Sequence, residues 1–542
     1  MLRNDYKLIL LLSFFASLVI LFFLDIPILG MAIDYGLVLS NKIEYADKAN
    51  VWNQAIYNSW TLINQIIAFL FKLKINIFII TKILTFLNIF FLLLGVMFIG
   101  YAFTSSVFLT FLISIIHLTF IFHIGSADYP ILYFSDHIWG ELSNSLLIFI
   151  IGILFAGFYR HVGFFSMVLI SIHPVIGFWN MGIIISFFFL NKFFKFKDLN
   201  IEYLNFLKGL MFGSTILISS LLIFFYMRED NIVNISSFYN PELFKSYIDY
   251  WDGHRGGNVM WVKFHIKLIF ISLILLIFLK KNYKELKGNL MQGTTIIFLG
   301  MIISTVIFYI VKLFGDNFLP LWIPIPNRFT MLYSILIFPL SAFIFIYFFS
   351  HINNSYLNLK KSNSFFIILT ILLCTFYSLF SLNSAKVSNL KKLFVNNYIL
   401  LTNSKSQIID YNLWSDVKKL KIKGSFVGNR YGLQLLSRNA YKPMFFDTSI
   451  DFLPYNIKLL NFMAEMIGEM YLVNFFDPPI ITRRQGTIHE TVIKKSFEEH
   501  SYSDWVNLSQ KYKLGGIVVP NDWVINFEGH LLQGKYYKVY IF

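Results

Sequence analysis

Long apolar runs, separated by short polar stretches, dominate the first 383 positions of the chain. Nine of these runs are close to the ~20 residues that a helix needs to cross a membrane. They lie at 8–24, 77–102, 105–122, 142–159, 206–226, 264–279, 291–313, 331–349 and 364–383. A longer run, 162–191, carries polar residues in its middle. The pattern predicts a mainly α, polytopic helical membrane bundle.

The run 162–191 contains the stretch SIHPVIGFWN, with a His-Pro pair at its centre. Proline removes a backbone donor and disfavours helix at the residue before it. A hairpin broken at His173-Pro174 keeps the lysine cluster at 192–197 inside the cell, as the positive-inside rule requires, whereas one helix would place it outside. We therefore predict two short legs of about 12 to 16 residues at 1.5 Å per residue. One proline-kinked helix is the alternative.

The distribution of basic residues then orients the chain. Arg3 and Lys7 precede the first run and place the N-terminus in the cytoplasm. The hairpin brings the prediction to about 11 membrane segments in the inner (cytoplasmic) membrane, with the C-terminus outside. The predicted outer loops are 25–76, 123–141, 227–263 and 314–330.

Composition agrees with a membrane protein. The chain of 542 residues is 57% hydrophobic and only 14% charged, against about a quarter charged in a soluble domain. Its net charge of +15 does not indicate a nucleic-acid partner, because the lysines are spread over short loops between apolar runs. Cys374 is the single cysteine, which excludes an internal disulfide and a cysteine-based zinc cluster.

After about Ser384 the chain becomes mixed polar and apolar, and it is long enough there for a domain with its own core. Alternating strands and helices predict a small extracytoplasmic α/β domain over 384–542, after a transmembrane domain over 1–383. Ser503 is the predicted N-cap of one short helix. The predicted strands are 424–428, 442–447, 515–520 and 536–542, and the predicted helices include 431–437 and 455–471.

Polar residues that could carry chemistry fall mainly in the predicted outer loops. Asp34 follows the apolar stretch IPILGMAI, so we expect it near the membrane surface, where a carboxylate could act as a general base towards a hydroxyl. Capping or solvation of a loop is the alternative role. Arg255 and Arg328 could hold a phosphate through paired N–H donors, or form surface ion pairs and lipid anchors. The candidate substrate-binding residues are Glu44, Asp47, His173, Asp252, His254, Arg255 and Arg328.

The sequence implies no cofactor. His254 lacks an evident set of partner ligands for a metal ion. A divalent metal stays an open alternative.

The layout resembles the GT-C superfamily of polytopic glycosyltransferases and, more narrowly, a group of uncharacterised bacterial proteins with the same arrangement. The similarity covers nearly the whole chain, through short motifs. The residues that carry it are Asn53, Gln54 and Tyr57 in the first loop, His173, Pro174 and Gly177 in the hairpin, Arg328 at a later span, and Arg438, Lys442, Pro443 and Asp447 within SRNAYKPMFFD.

The resemblance implies transfer of a sugar from a polyprenyl-phosphate donor to an acceptor on the outer face of the membrane. Asp34 would then be the base, and membrane lipids and a lipid-linked sugar would be the partners. The chain departs from the superfamily pattern because its first loop has no adjacent pair of acidic residues. Two rival hypotheses are a carrier or flippase for a polar or lipid-linked substrate that uses the hairpin as a midplane site, and a non-catalytic membrane scaffold.

Overall fold

The structure is a computed structural model. It describes residues 4–23, 31–119, 138–194, 202–229, 240–251, 410–450 and 457–542 (without 484), with short pieces at 122–123, 130–131 and 297–303 and the positions 306, 307, 310 and 336. The membrane-type helices are α1 (Asn4–Phe23), α5 (Ile77–Thr104), α6 (Val107–Thr119), α7 (Ile138–Phe155), α8 (Tyr159–Ile172), α9 (Pro174–Phe194) and α10 (Tyr203–Glu229). Between α1 and α5 lie α2 (Met31–Leu39), α3 (Val51–Asn58) and α4 (Leu62–Lys72). Two antiparallel strands of two residues each, β1 (Phe122–His123) and β2 (Pro130–Ile131), lie between α6 and α7 in the chain.

Contacts between α5 and α7 show that these two helices run parallel. Ser145 donates a hydrogen bond to Asn88, and further along both helices the rings of Phe103 and Phe155 lie 5.6 Å apart. The chain therefore reverses direction an even number of times between them, with α6 as the returning helix.

Helices α8 and α10 are also parallel and approach closely. A Cβ atom on Gly209 would lie 1.9 Å from the carbonyl oxygen of Arg160, so only glycine fits at this crossing. One turn further on, a Cβ atom on Gly213 would lie 2.6 Å from Cβ of Met167. Small residues allow such close backbone approach where helices pack within a membrane. The helices thus alternate in direction, and one end of the bundle collects α2 to α4, the turn between α8 and α9, and the end of α10.

The predicted break at His173-Pro174 is confirmed. Helix α8 ends at Ile172, and Pro174 opens α9, where its fixed φ suits the first helical turn and its missing N–H is not needed. Helix α8, with 14 residues, matches the predicted leg, whereas α9, with 21 residues, is longer than predicted. The second leg is long enough to cross a membrane.

The two legs pack side by side as a hairpin. Asn180 Nδ2 donates to Ser166 Oγ at 3.1 Å, and a Cβ atom on Gly177 would lie 2.5 Å from Cα of Ile170. Residues at equal distances from the turn therefore face each other, as an antiparallel pair requires. The polar Asn180 that interrupts the apolar run is buried against the opposite leg.

Four described helices are long and apolar enough to cross a membrane, which suits a helical membrane protein. They are Asn4–Leu21, Ile77–Thr104, Pro174–Lys192 and Tyr203–Arg228. The total of 11 segments stays a prediction. The predicted runs 264–279 and 364–383 lie outside the described residues, and 291–313 and 331–349 are described only in part.

Residues 31–76, here named the first outer segment after the predicted outer loop 25–76, contain α2, α3 and α4. Asn50 Oδ1 accepts hydrogen bonds from the backbone of Trp52 and Asn53 and so caps the start of α3. Helix α4 buries Ile67 on one face and exposes Phe69 on another. An apolar face left exposed on a short helix is typical of a helix that lies at a membrane surface.

The C-terminal part described here, residues 410–542, is named the outer domain after its predicted position. Its strands β3 (Ser425–Gly428), β4 (Leu514–Pro520), β5 (His530–Gln533) and β6 (Tyr537–Ile541) form a sheet in the order β3-β4-β6-β5. Strands β3 and β4 are parallel, and the other neighbours are antiparallel. The helices are α12 (Tyr411–Lys419), α13 (Arg430–Ala440), α14 (Leu460–Tyr471), α15 (Glu490–Glu499) and α16 (Tyr502–Tyr512). An α/β arrangement is therefore present.

Two local predictions in this domain need correction. The predicted strand 442–447 contributes a single parallel bridge, Met444 to Phe426, beside β3. The predicted N-cap Ser503 is wrong, because the helix begins at Tyr502 and Ser501 caps it. The backbone N–H of Ser501 donates in return to the Asp504 carboxylate, and this reciprocal capping box decides between the two serines.

Candidate functional site

A buried ion pair joins the first outer segment to the outer domain. Arg438 Nη2 donates to Asp34 Oδ2 at 2.7 Å, and its Nε donates to Oδ1 at 3.1 Å. Ser437 Oγ also donates to Asp34 Oδ1, at 3.1 Å. The Asp34 and Arg438 side chains are only 2% and 4% exposed. The predicted base therefore already accepts three hydrogen bonds, and a substrate can reach it only if the junction rearranges.

The local structure explains why these side chains meet. Asp34 lies in the first turn of α2, and Arg438 lies in the last turn of α13, so each charge complements the dipole of its own helix. Gly36, two residues after Asp34, packs so closely on α4 that a Cβ atom there would lie 2.3 Å from Cγ2 of Ile67. Helix α2 is thereby held close against α4, with Asp34 directed to the outer domain.

Asp447 is a second buried carboxylate, and it also faces an arginine of α13. Its Oδ1 accepts a hydrogen bond from the backbone N–H of Ser449 at 2.9 Å, whereas its Oδ2 has no hydrogen-bond partner. Arg430 Nε lies 3.9 Å from that oxygen and has no hydrogen-bond partner either. Burial raises the pKa of Asp447 from 3.8 to about 6, although the nearby Arg430 charge opposes the change.

Tyr45 links the two carboxylates electrostatically. Its hydroxyl donates to the carbonyl oxygen of Met444 at 2.8 Å, which adds another contact between the first outer segment and the outer domain. Burial raises the pKa of Tyr45 well above its ordinary value, and the negative charges of Asp34 and Asp447 raise it further. The phenol and both carboxylates therefore share one electrostatic neighbourhood.

The other candidates of the first outer segment lie at the edge of this junction. Asp47 pairs with Lys513 of the outer domain at 3.3 Å, in a partly exposed position. Glu44 is exposed. A partly exposed ion pair contributes little to stability, so Asp47 is a weaker anchor than Asp34.

Residues 240–251, here named the third outer segment, also pack on the outer domain. They form α11 (Pro241–Ser246) and a π-helical turn, Tyr247–Trp251. The fully buried Trp251 stacks on Phe475 and donates from its indole nitrogen to the carbonyl oxygen of Phe475 at 2.8 Å. Ser246 Oγ donates to the same oxygen at 2.9 Å. Two outer segments thus hold the domain.

The remaining predicted site residues are distributed as follows. His173 lies at the turn of the hairpin, next to Ile172, whose carbonyl oxygen accepts a hydrogen bond from Thr61 at 2.8 Å. The first outer segment therefore contacts this turn too. The candidates outside the described residues are Asp252, His254, Arg255 and Arg328.

A small pocket separates the first outer segment from α10. Trp60 and Gln65 donate hydrogen bonds to Ser220 of α10 at 3.0 Å and 2.7 Å and hold the helix in place. The pocket is lined by Leu39, Ile56, Tyr57, Ser59, Thr61, Asn64, Gln65, Phe224 and Met227. Neither Asp34 nor Asp447 lines it.

The junction offers two carboxylates, two guanidinium groups and a phenol, which suit proton transfer and recognition of anions or hydroxyls. Within the described part of the chain, no group of three or more His, Cys, Asp or Glu side chains is placed to hold a metal ion. The described residues therefore do not form a set of metal ligands.

Sequence reasoning missed how these charges pair. Arg438 and Asp447 both occur in SRNAYKPMFFD, which the sequence analysis singled out, but no signal in that stretch indicates Asp34, 404 positions away, as the partner of Arg438. Arg430 directly follows the N-cap Asn429, a position that indicates the first turn of a helix rather than a charge pair.

Comparison with known families and proteins gives no relative from which a role could be transferred. No protein-family model matches the chain. No curated protein matches it either.

Proposed function

We propose that the protein is a membrane glycosyltransferase that moves a sugar from a polyprenyl-phosphate donor to an acceptor hydroxyl, on the side of the membrane where the outer domain lies. The observation that carries the proposal is the buried pairing of Asp34 with Arg438 beside the second carboxylate, Asp447. Buried charges are costly to a fold, and groups of them frequently mark functional sites. The apolar helices supply a setting in which a lipid-linked donor would meet these groups.

In the proposed reaction, the donor phosphate competes with Asp34 for Arg438. A guanidinium group binds phosphate and carboxylate through the same paired N–H donors. The exchange would release Asp34. The Asp34 carboxylate would then accept the proton of the acceptor hydroxyl while the hydroxyl oxygen attacks the anomeric carbon. The bond from that carbon to the phosphate oxygen breaks, and polyprenyl phosphate leaves with the electron pair. Arg438 neutralises the charge that develops on the phosphate.

Arg255 and Arg328 stay in the proposal as additional phosphate ligands, in parts of the chain outside the described residues. His254, Asp252 and Glu44 stay as candidate contacts to the sugar.

The test uses membranes that contain the full chain, supplied with radiolabelled polyprenyl-phosphate sugars. Asp34→Asn keeps the size of the side chain and removes the proton acceptor, so we expect transfer to fall at least about a hundredfold. Asp416→Asn is the matched control, because Asp416 forms an exposed ion pair with Lys419 and is not a candidate site residue, and it should retain activity. Full activity of Asp34→Asn would contradict the assigned base, and lack of transfer by the unaltered protein with every donor would contradict the proposed function.

A second candidate function, a non-catalytic assembly protein, is favoured by the complete pairing of Asp34. On that hypothesis the Asp34–Arg438 pair serves only to hold the outer domain on the first outer segment. The exchange variant Asp34→Arg with Arg438→Asp separates the two functions. It should preserve the docking of the domain, measured by limited proteolysis, and it should abolish transfer. Unchanged transfer in a docked exchange variant would exclude a chemical role for the pair.

A further inference from the structure

We propose that the outer domain binds an uncharged carbohydrate at the carboxyl edge of its parallel strands, through Asp447 and Arg430, with the ring of Tyr431 as a stacking surface. This inference rests on the proposed function for the role of the bound sugar, which would be the acceptor. Three features of the domain support the binding: the position of these residues in the sheet, their polar atoms without hydrogen bonds, and their exposure.

The sheet brings the two charged residues to the same edge. Arg430 follows β3 by two residues, and Asp447 lies three residues after Met444, which pairs in parallel with Phe426 of β3. Both side chains thus follow the carboxyl ends of neighbouring parallel segments. In open α/β sheets, ligands bind in the crevice outside the carboxyl ends of the strands.

The unpaired atoms define the chemistry of the ligand. Asp447 Oδ2 is an acceptor without a donor, and Arg430 Nε is a donor without an acceptor, with 3.9 Å between them. A hydroxyl group both donates and accepts, so one hydroxyl, or two on adjacent carbons, can satisfy both atoms. An anion would be repelled by Asp447, and a cation would be repelled by Arg430. The pair therefore favours an uncharged polyol.

Exposure shows how a ligand would reach the site. The Asp447 side chain is 1% exposed, whereas the Arg430 side chain is 41% exposed, so a movement of Arg430 at the surface could open a path to the carboxylate. Tyr431, the next residue, is also 41% exposed. Its ring offers an apolar face of the kind on which a sugar ring can pack. Asn429 donates to Glu490 at 3.0 Å and fixes the start of the helix that carries both residues.

The raised pKa of Asp447 gives independent support. Burial of this carboxylate is unfavourable to the fold at neutral pH, and its pairing with Arg430 does not compensate for it. A buried acid with a perturbed pKa is a frequent property of functional sites. A ligand hydroxyl that donates to Oδ2 would supply the missing hydrogen bond.

The experiment uses the full chain in lipid nanodiscs, free of glycoside detergents, and the probes are methyl glycosides of common hexoses and pentoses. Binding is measured by ligand-observed NMR titration. We expect at least one methyl glycoside to bind, and Asp447→Asn and Tyr431→Ala each to weaken its binding at least about tenfold. Asp477→Asn is the matched control for Asp447→Asn, since Asp477 is an exposed aspartate of the same domain that pairs with Arg483, and it should bind within about twofold of the unaltered protein.

Two results would overturn the inference. One is that no methyl glycoside binds the unaltered protein, and the other is that Asp447→Asn binds as tightly as the unaltered protein, which would indicate a site for water only. Asp447→Asn removes a buried charge and is expected to fold, so lost binding cannot be assigned to unfolding. Binding that depends on Asp447 in a protein without transfer activity would support this site and contradict the proposed function. Transfer without such binding would contradict this site alone.

Discussion

Helix α13 presents an arginine near each end, and each arginine faces a buried aspartate, but the two pairs differ in how complete they are. Arg438 and Asp34 make two direct hydrogen bonds, and Ser437 adds a third. Arg430 and Asp447 approach only to 3.9 Å and make none. The first pair joins two parts of the chain, whereas the second lies wholly within the outer domain.

The comparison shows that a charge pair that holds two parts of the chain together differs from one whose atoms can bind a ligand. Arg438 and Ser437 donate to both oxygens of Asp34, so this pair can hold the junction firmly and must be opened before Asp34 can do chemistry. The Asp447 pair leaves a donor and an acceptor unmatched, so it adds little stability and offers both atoms to a ligand. Buried polar groups are usually matched in folded proteins, so two facing unmatched atoms are a place where a ligand can supply the missing partners.

Breaking the closed pair should have the largest effect. Arg438→Gln leaves the Asp34 carboxylate buried without its counter-charge, so we expect the junction to lose about 3 to 5 kcal/mol. Limited proteolysis should then release the outer domain at a lower temperature than in the unaltered protein. Lys513→Gln, which removes a partly exposed partner of Asp47, is the control and should lose less than about 1 kcal/mol. Equal effects of the two substitutions would show that the Asp34 pair is not the main anchor.

Removing the charge of Asp447 should raise stability, whereas Arg438→Gln lowers it. The pKa of this carboxyl is about 6 in the folded protein, against 3.8 for the free group, so the folded protein holds the proton more tightly. Ionisation therefore lowers stability as the pH rises from about 4 to 6, and the loss is then constant. Asp447→Asn should be more stable by on the order of 3 kcal/mol at neutral pH and equal to the unaltered protein below about pH 4.

The measurement for Asp447→Asn is the apparent midpoint of thermal unfolding at several pH values in one detergent. A stabilisation that does not change with pH would mean that packing, and not the charge, accounts for it. A destabilised variant would contradict the view that the second pair is incomplete.

Loss of the serine hydroxyl at the closed pair should have a smaller effect. Ser437→Ala removes one of three hydrogen bonds to Asp34 and leaves both contacts of Arg438, so we expect a loss of about 1 kcal/mol. The same unfolding assay applies. Combining Ser437→Ala with Arg438→Gln should give a non-additive loss, because both side chains bind one oxygen of Asp34. Simple additivity would indicate that the hydroxyl acts elsewhere.

Removing Arg430 should have the smallest effect on stability. Its side chain is 41% exposed and makes no hydrogen bond to Asp447, so solvent screens most of the attraction, and we expect less than about 1 kcal/mol for Arg430→Gln. Because Arg430 lowers the pKa of Asp447, the Asp447 carboxyl should titrate at a higher pH in this variant than in the unaltered protein. Its stability should therefore match the unaltered protein at pH about 4 and fall below it above about pH 6. An unchanged titration midpoint would show that the two side chains do not interact.

The fold was predictable from the sequence where short-range patterns decide it. The break at His173-Pro174 follows from the chemistry of proline and the distribution of lysines, and the structure confirms it. The strands β3, β4 and β6 coincide with short apolar runs next to glycines. The prediction of Ser503 as N-cap failed because Ser501 caps the helix through a reciprocal capping box with Asp504, and several nearby serines fit the sequence pattern equally well.

The sequence by itself determined the apolar helices, the hairpin and the α/β pattern of the outer domain, because these follow from periodicity, proline and charge within a few residues. It also indicated Asp34 as a candidate and placed Arg438 and Asp447 in one notable stretch. Only the tertiary structure decided that Arg438 closes on Asp34 and that Asp447 is left open beside Arg430. Those outcomes depend on side chains up to 404 positions apart and on the burial that docking creates, which no local pattern encodes.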